Sequence, residues 1–311
     1  MNPAPVCAAS LLALSTQTAA PVTAESNPPP ADSITIADAD SRMTVPVQIA
    51  DAGPFAFVID TGAERTVISR ELATTLGLAA GPGVRVTAMA NVAQVATVVI
   101  PRIRVGPLGG SRIEAPAFAA ANIGGAGMLG IDTLQGHAVT IDFDRGVMAV
   151  TPASKRHREA SVPGEIVVRA RDMFGQLVVT DAYVGERRVR VVIDTGSDVT
   201  MGNSALRRLV ARKAAFRQIS LRAVTGVSLL AEYTQVGAVR IGSATIQNLP
   251  VAFADAPPFA RFGLAQKPAL MLGMDALRLF RRVTIDFPNR ELRLLLPRDV
   301  KRVPAVGTGR V

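Results

Sequence analysis

Apolar residues in this chain come in short runs rich in Val, Ile and Ala, often alternating with polar ones, and Gly, Pro, Asn or Asp closes most of them. Short runs of period two bounded by turn formers predict strands joined by hairpins rather than long helices. Met43 to Ile49, the turn Asp51-Ala52-Gly53-Pro54 and Phe55 to Asp60 form the first predicted hairpin. Thr66-Val67-Ile68 resumes β character. Ser69 then suits the N-cap of a short helix over Arg70 to Leu76, with Gly77 just past its end. Val84 to Val105 reads as a longer β segment turning near Ala90-Asn91, followed by a strand near Ala115 to Ala119. A short helix is expected over Asp132 to Leu134. A closing hairpin follows, from Val139-Thr140-Ile141-Asp142-Phe143 to Val147–Val150, around Asp144-Arg145-Gly146.

The pattern then starts again. Leu177 to Tyr183 and Arg188 to Asp194 make a hairpin around Gly185, Ser204 to Arg212 is a helix candidate, and Ile219 to Val239 is a long β segment turning near Thr225-Gly226. Three motifs recur in one order. Val-Ile-Asp-Thr-Gly ends at Gly62 and Gly196, Met-Leu-Gly at Gly130 and Gly273, and Val-Thr-Ile-Asp-Phe at Phe143 and Phe287, at offsets of 134, 143 and 144 residues. A duplicated domain follows from that order. The expected layout is a leader over 1–30, a first lobe over 31–150, a linker over 151–163, a second lobe over 164–297 and a tail over 298–311.

Composition sharpens this picture in a few places. With 49% apolar residues, 26 Gly, 21 Pro and 311 residues, the chain has material for two folded, β-rich units. The formal charge of +9 raises nucleic-acid binding as a function class. The basic residues are scattered, however, and the groups Lys155-Arg156-His157-Arg158 and Arg207-Arg208 with Arg212-Lys213 lack interleaved aromatics, so no nucleic-acid partner is expected. Cys7 is the single cysteine, which excludes an intrachain disulfide. Val6 to Leu14 is a short apolar run, too short to span a bilayer, and Thr18-Ala19-Ala20 and Val22-Thr23-Ala24 suit cleavage. No basic residue precedes that run. The expectation is an exported, periplasmic or secreted protein without a membrane span.

Candidate chemistry centres on the first repeated motif. Each copy delivers a carboxylate, Asp60 or Asp194, from the end of a buried strand, and two such half-sites call for pairing about a pseudo-twofold axis. Two carboxylates held close cannot both ionise cheaply, so they keep one proton between them; the ionised member can deprotonate water and the protonated one can donate to a substrate oxygen. Aspartic proteases use such a shared-proton pair.

Asp60-Thr61-Gly62-Ala63 and Asp194-Thr195-Gly196-Ser197, each with a downstream Met-Leu-Gly, resemble the two half-sites of an aspartic protease. The resemblance is nearest to retropepsin-like domains, here fused in one chain on the bilobal pepsin-like plan, and covers Ile34 to Leu296. It implies a mostly β fold of two tandem β-barrel lobes related by pseudo-twofold symmetry, with few short helices. It implies that Asp60 and Asp194 are catalytic, that Thr61 and Thr195 exchange hydrogen bonds across the axis, and that Gly62, Gly196, Gly130 and Gly273 support the loops. Asn91 and Gly226 fall where flaps would close over a peptide. The implied function is an aspartic endopeptidase acting as a monomer on peptide or protein substrates, without cofactor or metal; the alternative is an inactive peptide-binding or scaffolding protein on the same fold. Two departures stand out. Tyr183 and Tyr233 do not fall where a pepsin-type flap tyrosine would, and Ile131 and Met274 occupy the position where retropepsins carry an Arg.

Plainer readings cover the remaining candidates. Asp132, Asp142, Asp275 and Asp286 recur in pairs at strand ends, where a carboxylate most simply holds backbone. His137 and His157 stand in unlike contexts and have no second ligand at metal-binding spacing. Ser69 and Ser197 have no His–Asp partners for serine catalysis.

Overall fold

The computed structural model describes residues 33–298 apart from 36, 40–41, 107–111, 156–159 and 211–214. The expected leader, Cys7, His157, Lys213 and nearly all of the tail lie outside the described residues. Strands dominate, and the two lobes are built on one strand order. In the first lobe it runs Arg42–Ile49, Ala52–Ile59, Gly127–Leu129, Val67–Ser69, Ile113–Phe118, Val92–Ile100, Ala80–Thr87. In the second it runs Gln176–Val184, Arg187–Ile193, Ala269–Leu272, Met201–Gly202, Ala244–Phe253, Ser228–Ile241, Arg217–Arg222. In each lobe the strand that leads into Asp60 or Asp194 runs parallel to the Met-Leu-Gly strand, and that strand is antiparallel to the next.

Between the lobes lies a sheet built on the third repeat. Val139-Thr140-Ile141 of the strand His137–Asp142 pairs antiparallel with Ile285-Thr284-Val283 of Arg282–Asp286, so the motif pairs with its own duplicate. Thr140 faces Thr284 and their hydroxyls sit 2.9 Å apart, which marks the pseudo-twofold axis. Ser33–Thr35 and Val147–Pro152 extend this sheet on one side, Glu291–Leu295 and the first half of Glu165–Met173 on the other. Glu165–Met173 then crosses into the second lobe by pairing with Gln176–Val184. One buried apolar cluster runs through both lobes and this sheet, taking in Phe57, Ile59, Leu129, Val191, Ile193 and Leu272. The motif strands are therefore fixed from both sides by core packing. No helix among the described residues is long and apolar enough to cross a membrane.

The first turn differs from the expectation. The chain reverses at Ala50-Asp51, and Gly53-Pro54 lies inside the strand Ala52–Ile59. Ala50 takes φ +52 there, and the pairing shifts register between Val47 and Ile49. Pro54 needs no ladder partner for its nitrogen at this irregular end of the strand. The helix Arg70–Thr75 is capped as expected, with Ser69 Oγ accepting from Leu72 N at 3.1 Å and Gly77 at φ +60. The strand Ala244–Phe253 and the helices Ala120–Ile123 and Pro257–Arg261 have no counterpart in the sequence reading.

Candidate active site

Asp60 and Asp194 stand at the ends of equivalent strands, and their loops meet across the axis. Each Asp nitrogen donates to the leucine carbonyl of the neighbouring strand, Asp60 N to Leu129 O at 2.9 Å and Asp194 N to Leu272 O at 3.0 Å. The Thr61 hydroxyl donates to Ile193 O at 3.0 Å and accepts from Thr195 N at 3.2 Å. The Thr195 hydroxyl donates to Ile59 O at 2.9 Å and accepts from Thr61 N at 3.0 Å. Both threonines are buried, so these four bonds lock the loops at fixed separation with no water competing for them.

The glycines after the threonines let the carboxyls approach. A Cβ at Gly62 would sit 2.7 Å from Asp194 Oδ1, and one at Gly196 2.2 Å from Asp60 Cγ. No side chain fits there. Gly62 N and Ala63 N donate to Asp60 Oδ1 at 2.8 and 2.9 Å, and Gly196 N donates to Asp194 Oδ1 at 3.1 Å. The Asp60 and Asp194 carboxyls hydrogen-bond to each other. Burial, with the Asp60 charge beside it, pushes Asp194 well above the usual carboxylate range.

Gly130 and Gly273 serve the loops from behind. A Cβ on Gly130 would lie 2.4 Å from Arg65 C, and one on Gly273 2.7 Å from Val199 C. Where retropepsins place an Arg, buried Ile131 and Met274 donate backbone N–H to Ala63 O and Ser197 O. The next residues hold the loop instead. Asp132 Oδ1 accepts from Thr66 N and Oγ1 at 2.9 and 2.7 Å; Asp275 accepts from Thr200 N and Oγ1 at 3.0 and 2.6 Å. Each threonine hydroxyl then accepts from the glycine nitrogen, Gly130 or Gly273, at 3.1 Å. Asp142 and Asp286 accept from the turn nitrogens of Arg145 and Asn289, both at 3.0 Å. Sequence reasoning missed Thr66 and Thr200, although they recur at the same offset as the aspartates.

Above the dyad is a cleft of about 920 Å³ lined by both aspartates and by two hairpins. Asn91 and Gly226 lie in the tips of these hairpins. Thr225 Oγ1 donates to Asn91 Oδ1 at 2.8 Å, so the two tips touch. Gly226, at φ +83, passes so close to Asn122 that a Cβ would lie 2.9 Å from its Nδ2. The tips also cross. Met89 of the first hairpin packs on an apolar cluster of the second lobe, and Val224 of the second packs on one of the first. At the side of the cleft Arg261 forms a two-pronged ion pair with Glu64, its Nη2 2.8 Å from Oε2, and stacks 4.8 Å from the Phe174 ring centroid. Gln176 Nε2 donates to Gly62 O at 2.7 Å. Neither contact has a local sequence signal, because the partners are remote in the chain.

The arrangement can hold one proton between two carboxyls under a roof of two touching hairpins, which suits general acid/base hydrolysis. Among curated proteins the chain finds no match. The family model described as aspartyl protease matches it twice, over residues 45–133 and again over 180–276, one match in each lobe. The chain belongs to the aspartyl protease family, with the family's domain present in duplicate.

Proposed function

We propose that the protein is an aspartic endopeptidase that acts as a monomer and hydrolyses peptide bonds with a water activated between Asp60 and Asp194. The observation that carries this reading is the pair of apposed carboxyls, one of them buried, on the floor of a cleft roofed by two hairpins. A protein that only binds peptide gains nothing from two apposed acids, one of them buried. In the first step Asp60 takes a proton from the water as its oxygen attacks the carbonyl carbon, and Asp194 donates its proton to the carbonyl oxygen. In the second, Asp60 returns the proton to the leaving nitrogen as the C–N bond breaks, and Asp194 recovers one from the tetrahedral hydroxyl. The dyad ends as it began, with no covalent intermediate. Burial, followed by the charge of Asp60 beside it, favours the neutral form of Asp194.

The test is hydrolysis of a mixed peptide library at several pH values by the wild type, Asp60→Asn, Asp194→Asn and, as control, Asp142→Asn. Both dyad variants are expected to lose roughly 10²–10⁴-fold in kcat/KM while remaining folded, and the control to keep its rate. The wild-type profile is bell-shaped, with limbs belonging to the pair rather than to one residue. Full activity in Asp194→Asn overturns the reading. Export to the periplasm or medium is part of the proposal, supported by the apolar run Val6 to Leu14 and the Ala-rich sites after it. N-terminal sequencing of protein recovered from those compartments decides it, since an intact Met1 end in the cytosol contradicts export.

A further inference from the structure

We infer that Gln176, on the second lobe, is a positioning residue that sets the Asp60 carboxyl through one peptide unit of the first. This rests on the peptidase reading above and names a residue on which that site depends. Gln176 is 1% exposed, lines the cleft, and donates from Nε2 to Gly62 O at 2.7 Å. Gly62 O and Ala63 N–H belong to the same planar peptide. Ala63 N donates to Asp60 Oδ1 at 2.9 Å. A single chain of hydrogen bonds thus runs from the second lobe, across that plane, to the carboxyl of the first-lobe aspartate.

Fixing one edge of a planar unit fixes the other. Ala63 N also lies 3.4 Å from Asp60 O, so a tilted plane has a competing acceptor at hand. Donation to Gly62 O holds the N–H on the carboxyl and polarises it, which strengthens the bond it makes. The other loop lacks this brace. Gly196 N and Ser197 N donate to Asp194, but among the described residues nothing donates to Gly196 O.

The backbone around Gln176 holds it in place. It opens the strand Gln176–Val184 directly after a two-residue turn in which Phe174 takes φ +57 and Gly175 φ +89. Positive φ at both central residues makes a tight hairpin turn, and a Phe in that region is strained. Asp172 Oδ1 accepts from Gly175 N at 3.0 Å. Gly175 packs against the first lobe so closely that a Cβ would meet Ile131 Cδ1. For packing alone the Gln176 side chain is a poor choice. Its Oε1 is buried without a hydrogen-bond partner among the described residues, and a Leu or Met there would bury no such atom.

The experiment compares wild type, Gln176→Leu and Gln176→Glu between about pH 4 and about pH 7. Rates are read on a library-selected peptide, and backbone amides by NMR of the nitrogen-labelled protein. Gln176→Leu is expected to keep or raise Tm, because water can reach half-buried Gly62 from the cleft, and to lose roughly tenfold in kcat, the worth of one hydrogen bond. In Gln176→Glu a neutral carboxyl can donate to Gly62 O and an ionised one cannot, and burial favours the neutral form. Its rate relative to wild type is therefore expected to rise severalfold as pH falls, while that of Gln176→Leu stays flat. The Ala63 amide proton is expected to shift in Gln176→Leu and to return towards its wild-type position in Gln176→Glu on acidification, with Ser197 matching the wild type at every pH. Wild-type kcat in Gln176→Leu, or a Gln176→Glu ratio that does not change with pH, overturns the inference, as does a loss of rate that tracks a fall in Tm. Absence of cleavage by the wild type counts against the peptidase reading instead, and the Ala63 and Ser197 shifts then decide the role of Gln176.

Discussion

The loop that follows Ile59 and the loop that follows Ile193 share their Asp-Thr-Gly, their threonine exchange and their Thr–Asp support from behind, yet their surroundings differ. Asp194 is buried, 5% exposed, while Asp60 is half-buried, although each carboxyl takes two backbone donors, Gly62 and Ala63 on Asp60 and Gly196 and Ser197 on Asp194. Gly62 O receives the side-chain amide of Gln176, and Glu64 is held by Arg261 from the other lobe. In the second loop Ser197 Oγ turns inward and donates to Val199 O at 2.8 Å. Symmetry is kept where the halves must fit together and relaxed where they divide labour. A homodimer of one sequence cannot assign the proton to one carboxyl by surroundings alone. A fused pair can, and here Asp194 is the member pushed up.

The glycines break this comparison hardest. A Cβ on Gly196 would fall 2.2 Å from Asp60 Cγ and 2.4 Å from its Oδ2, whereas one on Gly62 would fall 2.7 Å from Asp194 Oδ1. Each methyl presses on the opposite lobe's aspartate. Gly196→Ala is expected to lower kcat/KM by roughly 10²-fold or more, since displacing a catalytic group by about 1 Å costs that much, and Gly62→Ala to cost less. Rates on a library-selected peptide, with circular dichroism as the fold check, measure both. Equal losses contradict the inequality of the two loops.

The threonine exchange comes next, and there symmetry is expected to hold. Val in place of Thr61 or Thr195 keeps shape but leaves a buried carbonyl, Ile193 O or Ile59 O, and a buried N–H of the opposite loop without partners. Each substitution costs about 1–3 kcal/mol in urea unfolding. The pair together costs less than the two single losses added, because they belong to one network. Single losses differing by more than about 1 kcal/mol contradict an exchange shared evenly between the loops.

The proton assignment carries a smaller effect with a definite sign. Because the folded-state pKa of Asp194 lies above its ordinary value of 3.8, the folded chain holds a proton that the unfolded chain releases. Stability therefore falls as pH rises from about 3.8 through the raised value, and the penalty is complete above it. Asp194→Asn removes this titration. The variant is expected to match the wild type in acid and to exceed it at neutral pH by a Tm shift on the order of 2–4 °C for each kcal/mol relieved. Asp60→Asn gains less, because burial, which it leaves in place, is the largest cause of the shift. A wild-type Tm that rises between acid and neutral pH relative to Asp194→Asn refutes the assignment.

What the sequence made legible was the part that repeats. Asp60 with Asp194, Gly130 with Gly273 and Thr140 with Thr284 recur because each pair sits at or near one axis, and an axis imposes the same chemistry twice. Thr66 and Thr200 obey that rule as well, but their role depends on Asp132 and Asp275 arriving behind them in the short helices Ile131–Leu134 and Met274–Leu277, which no local pattern shows. The turn at Ala50-Asp51 was misplaced because Gly53-Pro54 is the stronger turn signal, and strand pairing overrode it. Features that belong to one half alone, Gln176 on Gly62 O and Arg261 on Glu64, have neither repeat nor spacing to announce them. Nor do the crossed contacts of Met89 and Val224, which exist only once both lobes are assembled.

Arg261 and Glu64 provide the mildest test of whether the halves differ. The pair joins the lobes beside the dyad, and its side chains are 40% and 36% exposed. Ion pairs of that exposure contribute about 0.2–1 kcal/mol even with two-pronged geometry. Glu64→Gln is therefore expected to lower stability by no more than that, and the loss is expected to shrink as salt rises. Arg261→Lys is expected to cost a little more than its charge suggests, because Lys keeps the charge but loses both the second prong and the planar stack on Phe174. The position that answers to Glu64 in the second loop is Asp198. If the two loops were equivalent, Asp198→Asn in the presence of Arg261 and Glu64→Gln would shift the cross-lobe coupling alike. Double-mutant cycles with Arg261→Met separate the cases: a coupling energy is expected for Glu64 and none for Asp198. Coupling of Arg261 to Asp198 as strong as to Glu64 shows that the lobes rearrange in solution and that the inequality of the two loops is not fixed by this contact.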